Sequence, residues 1–411
     1  MKKKITLLSL FVFVALIVTI TNLTTNFSRA DYERYLLSQA NVLKSKVQLV
    51  ENQQEAFDMP EMAAFDEFIK TVDPKLGYVP KERLWNSYLL TRKFETELEA
   101  SRDDPDVGWE GTIANMGGRT RALMFDPNDM NKRKVWAGGV TGGLWYNEDI
   151  LDVNEPWIPI GDFWSNLAIS CITSDPNQPQ TFYVGTGEAQ TARIIYRESS
   201  GLGAVIFRSN DEGETWEQIP STSGFKYITD MEVRNEDGIS VIYACVASGT
   251  YKGEDHESQP SDGLYRSDDG GMTWDQVLPE IIDHPGEIYT PADIDIASNG
   301  RIYIGTMENL NLKGGATILY SDTGLEGSWS IFDDYNTIID NEGLYNIPAR
   351  TNVAVAPSDP NIVYAQFAAG YMTGASYYNY LGRYIVKTQN GGANWLPVNI
   401  PDDEDWAGHR H

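Results

Sequence analysis

The octapeptide Ser209-Asn210-Asp211-Glu212-Gly213-Glu214-Thr215-Trp216 constrains this chain more than any other stretch. It reads S-x-D-x-G-x-T-W and returns as Ser267-Asp268-Asp269-Gly270-Gly271-Met272-Thr273-Trp274. A looser copy is Thr388-Gln389-Asn390-Gly391-Gly392-Ala393-Asn394-Trp395. An Asp or Asn can accept hydrogen bonds from its own downstream backbone, and Gly reaches positive φ, so the element predicts a tight turn. The Trp should then plug that turn from its own blade, with one N–H to satisfy. Each copy follows an aromatic or β-branched run and precedes another short strand, which is how a hairpin turn sits in sequence.

Ser267 follows Ser209 by 58 positions and Thr388 follows Ser267 by 121, about two such periods. A degenerate copy, Ser321-Asp322-Thr323-Gly324 with Trp329, fills the gap. Several short strands per long period point to a propeller or solenoid. Five units can be superposed. Their first strands are Arg121 to Phe125, Ala168 to Thr173, Ile228 to Val233, Ala292 to Ala297 and Thr351 to Ala356. Asp126-Pro127, Asp175-Pro176, Asn299-Gly300 and Asp359-Pro360 turns lead to second strands such as Val135-Trp136-Ala137 and Val241-Ile242-Tyr243. A third strand enters the S-x-D-x-G turn and a fourth leaves it. The expected fold is all-β: a propeller of four-stranded antiparallel blades, about five in number and incomplete, preceded by a helical N-terminal segment.

Four regions follow. Residues 1–30 carry Lys2, Lys3 and Lys4, an apolar run from Ile5 to Ile20, and Ser28-Arg29-Ala30 for cleavage. They read as a signal peptide, with an uncleaved anchor as the alternative. Residues 31–106 show helical spacing and form a helical prefix and linker. Residues 107–400 are the propeller. Residues 401–411 are the start of a missing blade or a frayed end.

Composition removes some function classes. With 32 basic against 59 acidic residues the net charge is −27, which repels nucleic acid and anionic lipid. A membrane enters only through the N-terminal anchor. No metal-ligand spacing occurs, so neither metal nor other cofactor is expected. Cys171 and Cys245 each sit in a strand-like run and read as buried free thiols, with a disulfide between neighbouring repeats as the alternative.

Ser209–Trp216 and Ser267–Trp274 resemble the Asp-box of bacterial neuraminidase repeats. Ser209, Asp211, Gly213, Trp216, Ser267, Asp269, Gly271, Trp274 and Trp395 are the matching structural positions. The wider frame is similar to sortilin-type propellers and to xyloglucanase-like secreted proteins, with Gly117-Gly118-Arg119 before the first blade and Tyr183-Val184-Gly185-Thr186-Gly187-Glu188 in the second. Asp73-Pro74, Gly77, Pro80 and Glu82-Arg83 resemble the linker found before such propellers in proteins exported by type IX secretion. The resemblance runs from about Asp58 to Pro401. It implies a secreted or cell-surface propeller with an extracellular glycan or protein ligand. Such motifs specify fold far more than activity. Relatives of this kind close a ring of more blades and carry a C-terminal sorting domain, so an open arc is expected here.

Short turns crowd one face of such a propeller and long insertions crowd the other: Ala189 to Gly203, Gly249 to Gly263, Met307 to Ala316 and Phe367 to Gly382. Arg193, Tyr196 and Arg197 on the first, Tyr251 on the second, and Tyr371, Tyr377 and Tyr378 on the last are candidate ligand-binding residues, since Tyr beside Gly and Ser suits sugars or peptides. Glu254, Asp255 and Glu257 favour a neutral polysaccharide or a basic peptide. The functional expectation is a glycan- or protein-binding propeller. The alternative is a xyloglucanase-like glycoside hydrolase using a carboxylate pair. Its candidate acids are Asp230, Asp293 and Asp295 on inner strands and Glu188 at a second-strand end. A sialidase would use arginines such as Arg119, Arg121 and Arg350, but that family's N-terminal Arg-Ile-Pro is absent.

Overall fold

The computed structural model describes residues 34, 69–73, 75–80, 83–99, 119–161, 164, 166–189, 201–251, 254–335, 347–373, 376–398 and 409–410. The chain divides into two compact units, Met1–Leu84 and Trp85–His411. In the first, Asp73 caps a turn: its carboxylate accepts the Lys75 N–H at 2.8 Å and pairs with Arg83 at 2.6 Å. The signal-peptide reading and most of the helical prefix lie outside the described residues. No described helix is long and apolar enough to cross a membrane. Helix α1 (Leu84–Glu99) enters the second unit with Trp85, which is buried against Phe207 at a ring distance of 5.2 Å.

The second unit is a β-propeller of five four-stranded antiparallel blades, in each of which sequence order is spatial order. Blade 1 is β1 (Thr120–Phe125), β2 (Val135–Gly139), β3 (Gly143–Asn147) and β4 (Ile158–Pro159). Blade 2 is β5 (Ile169–Ser174), β6 (Phe182–Thr186), β7 (Ile206–Ser209) and β8 (Glu217–Gln218). Blade 3 is β9 (Tyr227–Glu236), β10 (Ile239–Ala247), β13 (Gly263–Ser267) and β14 (Asp275–Gln276), with a separate hairpin of β11 (Gly249–Tyr251) and β12 (Glu254–His256) between its middle strands. Blade 4 is β15 (Thr290–Ile296), β16 (Ile302–Met307), β17 (Ile318–Ser321) and β18 (Ser330–Phe332). Blade 5 is β19 (Ile347–Val355), β20 (Val363–Thr373), β21 (Ser376–Thr388) and β22 (Leu396–Pro397), and β23 (His409–Arg410) adds to β21.

Middle strands are apolar without a break because both faces are covered. On β10, Ile242, Ala244 and Val246 pack toward blade 2, while Val241, Tyr243 and Cys245 pack toward blade 4, and all six are fully buried. Four such interfaces join the five blades in sequence. Glycines mark where one blade's inner strand crosses the next sheet most closely. A Cβ on Gly185 would stand 2.7 Å from Ile228, and one on Gly305 would stand 2.2 Å from the Thr351 carbonyl. Blade 1 exposes Leu123 and Phe125 on the face away from blade 2, and blade 5 exposes Tyr364 on the face away from blade 4. The strand near Trp109, on which ring closure turns, is outside the described residues.

The repeated turn has a hydrogen-bond reason for each of its letters. The Ser209 hydroxyl donates to Asp211 Oδ1 at 2.8 Å and accepts the Gly213 N–H at 2.8 Å. Asp211 in turn accepts the Thr215 N–H at 2.8 Å and its hydroxyl at 2.5 Å. Ser267, Asp269, Gly271 and Thr273 repeat the pattern. Thr388, Asn390 and Gly392 reproduce it with the hydroxyl and amide counterparts. Gly213 and Gly271 both sit at φ +86°. In the degenerate copy Ser321 still accepts the Gly324 N–H at 2.9 Å, but Asp322 turns away to pair with Arg301.

The tryptophans correct one expectation. Trp216 is buried, at 9% exposure, but its ring packs 6.4 Å from Trp136 of the preceding blade and 5.4 Å from Trp164. Trp274 is only half-buried and donates to Ser221 Oγ, in the connection out of blade 2, at 3.0 Å. Trp395 stacks on Phe332 of blade 4 at 5.8 Å. Each therefore plugs the joint with the previous blade, because the turn projects past its own sheet. Arginines stitch in the same sense. Arg208 donates to the Gly270 carbonyl at 3.3 Å, Arg234 to that of Gly300 at 2.8 Å, and Arg301 to that of Gly391 at 2.5 Å. Cys171 and Cys245 are buried free thiols.

Candidate functional site

Every inner strand is irregular at its loop-facing end. Pairing with the second strand skips Arg121, Ser170, Thr229, Ala292 and Ala349, one residue in each blade. A bulge at this point re-aims the residues that follow it. The next positions are Ala122, Cys171, Asp230, Asp293 and Arg350, and two residues deeper come Met124, Thr173, Glu232, Asp295 and Asn352. Charged side chains are thereby placed in two tiers along the inner edges of blades 3 and 4, and in one tier, Arg350, on blade 5.

An inner strand has an unpaired edge, and its N–H groups need acceptors. Asp230 supplies one to Ile294 at 3.1 Å, Asp293 one to Val353 at 2.8 Å, and Asp295 one to Val355 at 2.6 Å. Each carboxyl thus reaches the following blade's inner strand. Burial pushes the Asp230 carboxyl well above the usual range, reinforced by Asp293 and Glu232. Asp293 is raised too, again by burial, against the pull of Arg350. Glu232 accepts the Thr173 hydroxyl at 3.0 Å, and burial pushes its carboxyl up to about 7.

Glu188 lies at the mouth, just past β6. It is buried and pairs with the exposed Arg119 at 2.7 Å. Burial raises its carboxyl, while Arg119, Arg121 and Arg350 oppose that rise. Arg350 is buried at 6% exposure and donates to the carbonyls of Ala189, at 2.9 Å, and Ala292. The four acids named from sequence thus lie on this inner edge or at its mouth. Three of them are occupied as strand-edge acceptors.

The candidate ligand-binding residues are distributed differently. Arg193, Tyr196 and Arg197 lie outside the described residues. Tyr251 ends β11, opposite Glu254 in register. The last insertion is not a loop but a ribbon, since β20 and β21 run on together to Thr373 and Ser376. Tyr371 pairs in register with Tyr378, and Met372 with Tyr377, so backbone alternation places positions 371 and 378 together and 377 in the other set. Sequence reasoning overlooked Glu232. Its signal was the alternation Asp230-x-Glu232, matched by Asp293-x-Asp295.

No family model matches the chain. A xyloglucanase from Paenibacillus sp is 27% identical over 188 residues, which span 44% of this chain and 17% of that protein. The xyloglucanase Xgh74A of Acetivibrio thermocellus is 30% identical over 190 residues, 44% of this chain and 20% of its own length. Over that span the chain is xyloglucanase-like. It covers about a fifth of the length of these relatives. Among solved structures, an ancestral GH74 enzyme is similar at 17% identity with a TM-score of 0.42, covering 69% of this chain and 31% of that one.

Proposed function

We propose that this propeller engages an extracellular polysaccharide as a xyloglucanase-like glycoside hydrolase. The observation that carries the reading is the sequence similarity to xyloglucanases across 44% of the chain. The substrate face is the one bearing the β11–β12 hairpin and the β20–β21 ribbon, whose sequence brings in Tyr251, Tyr371 and Tyr378, a residue type suited to stacking on sugar rings. The opposite face is taken up by the repeated turns, which we assign as Asp-boxes with a purely structural role. On this reading residues 1–30 direct export, and the partner is a neutral glycan.

A second reading, a glycan- or protein-binding propeller without hydrolysis, is favoured by the use of Asp230, Asp293 and Asp295 as strand-edge acceptors. A glycosidase needs two carboxyls flanking the scissile bond with space for the sugar between them. The two readings separate on one substrate: purified chain incubated with xyloglucan, assayed for reducing ends and for retardation in a xyloglucan-containing gel. New reducing ends support the hydrolase. Retardation without reducing ends supports the binding module, and neither response overturns both. Tyr371→Ala with Tyr378→Ala should weaken retardation several-fold without lowering the melting temperature.

A further inference from the structure

We propose that the propeller associates head to tail with a second copy of this chain, the free face of blade 5 seating on the free face of blade 1 in the next molecule. The inference concerns the two ends of the blade series and stands whether or not the propeller hydrolyses a glycan.

Each joint between consecutive blades is built from three repeated parts. The second strand of one blade sends an aromatic toward the next blade: Trp136, Tyr183, Tyr243 and Tyr303, all buried in the four joint clusters. The next blade's inner strand answers with an apolar residue: Ile172, Met231, Ile294 and Val353, buried in the same clusters. The third part is a tryptophan directly before that blade's fourth strand, namely Trp216, Trp274, Trp329 or Trp395, packed there too.

The same three parts stand open at the two ends. Blade 5 carries Tyr364 at the second-strand position, and it is 40% exposed. Blade 1 carries Leu123 at the inner-strand position, 68% exposed, with Phe125 beside it on the same face, also exposed. Trp157, directly before β4, is exposed as well. Blade 5 thus ends in the projecting half of a joint, and blade 1 begins with the receiving half. An exposed apolar set in the pattern of an interface used four times within the molecule marks an association surface.

Charge matches the same pairing. Arg208, immediately before the Ser209 turn, donates to the Gly270 carbonyl in the following blade's third-to-fourth turn at 3.3 Å. Lys387 holds the equivalent place before Thr388, beside the Tyr364 ring at 5.2 Å. The third-to-fourth turn of blade 1 carries Glu148, Asp149, Asp152 and Glu155. Glu148 pairs with Lys134 and Asp149 with Arg133, whereas Asp152 and Glu155 have no ion pair among the described residues. An incoming cation therefore meets uncompensated carboxylates. Because the two faces differ, the contact is heterologous and can repeat from copy to copy.

Sedimentation velocity of the full chain at rising concentration tests this, with Leu123→Glu and Tyr364→Glu as end-blocking variants. The wild type is expected to form assemblies that grow with concentration, and each variant alone to remain a monomer. An equal mixture of the two variants should form a dimer and stop there, since each copy keeps one usable face. Both side chains are exposed, so the variants should melt as the wild type does at low concentration. Should a charged variant not fold, Leu123→Thr and Tyr364→Thr keep a strand-forming residue and should still weaken assembly about tenfold. A wild type that is monomeric at every concentration overturns the proposal. So does assembly that survives either substitution, whether through like faces or through the apolar run from Ile5 to Ile20, and so does a mixture that gives no dimer.

Discussion

Replacing Glu232 by Gln should make the propeller more stable at pH 8 and leave it nearly unchanged at pH 4.5. The Glu232 carboxyl is raised from 4.5 to about 7, chiefly by burial. Each unit is worth about 1.4 kcal/mol, so the full shift corresponds to about 3 kcal/mol. The side chain keeps partial access to water, which reduces this to about 2 kcal/mol. The sign follows from proton counting. Between pH 4.5 and 7 the unfolded chain has released this proton while the folded chain holds it, so stability falls as pH rises through that window. Gln keeps a carbonyl oxygen for the Thr173 hydroxyl and cannot titrate. Urea midpoints of both proteins at half-unit steps from pH 4.5 to 8 give the difference directly. Losing the Glu232 charge also relieves Asp230, which adds to the gain at high pH, and Asp269, held down to about 2 by the Thr273 hydroxyl, titrates below the window. A gap that does not widen with pH, or a Gln variant less stable at pH 8, would refute the argument.

Two further outcomes concern the joints between blades. Trp216→Ala should cost about 3–5 kcal/mol in urea unfolding and Trp274→Ala about half as much, because the first ring is enclosed by Trp136 and Trp164 whereas the second is half-exposed. Equal losses would mean that burial at the joint is not what these rings contribute. Arg234→Ala should lower stability by about 3 kcal/mol, since it removes donors to the Gly300, Asp322 and Thr323 carbonyls and strips Glu236 of a partner; a change under about 1 kcal/mol in thermal or urea melts would show the stitch to be dispensable.

The blades were legible in the chain because each strand's role is local. Val241 to Ala247 is apolar at every position since both its faces are covered, and Ser209, Asp211, Gly213 and Thr215 close their turn among themselves. The direction of the Trp216 plug was not legible. It depends on how far the turn overhangs the previous blade, which is a property of the stacking between blades. The ribbon was hidden for a similar reason: the Tyr- and Gly-rich stretch from Phe367 to Gly382 has the composition of a loop, yet it continues the register of β20 and β21. Composition suggests a loop; only pairing shows the strand.

The acids illustrate a more general ambiguity. Asp230, Asp293 and Asp295 were picked out because charge on an innermost strand is unusual, and that unusualness has a second explanation. The inner edge of every blade presents N–H groups that no fifth strand satisfies, and an Asp from the preceding blade is short enough to reach them: Ile294 from Asp230, Val353 from Asp293, Val355 from Asp295. Such an acceptor produces the same raised carboxyl as a catalytic acid, since burial alone is the largest cause in both cases. What distinguishes the two is vacancy. A group whose oxygens already hold backbone donors is committed to the fold, whereas a group with donors to spare awaits a ligand. On this inner edge Asp230, Asp293 and Asp295 each hold such a donor, so their raised carboxyls are accounted for by the fold.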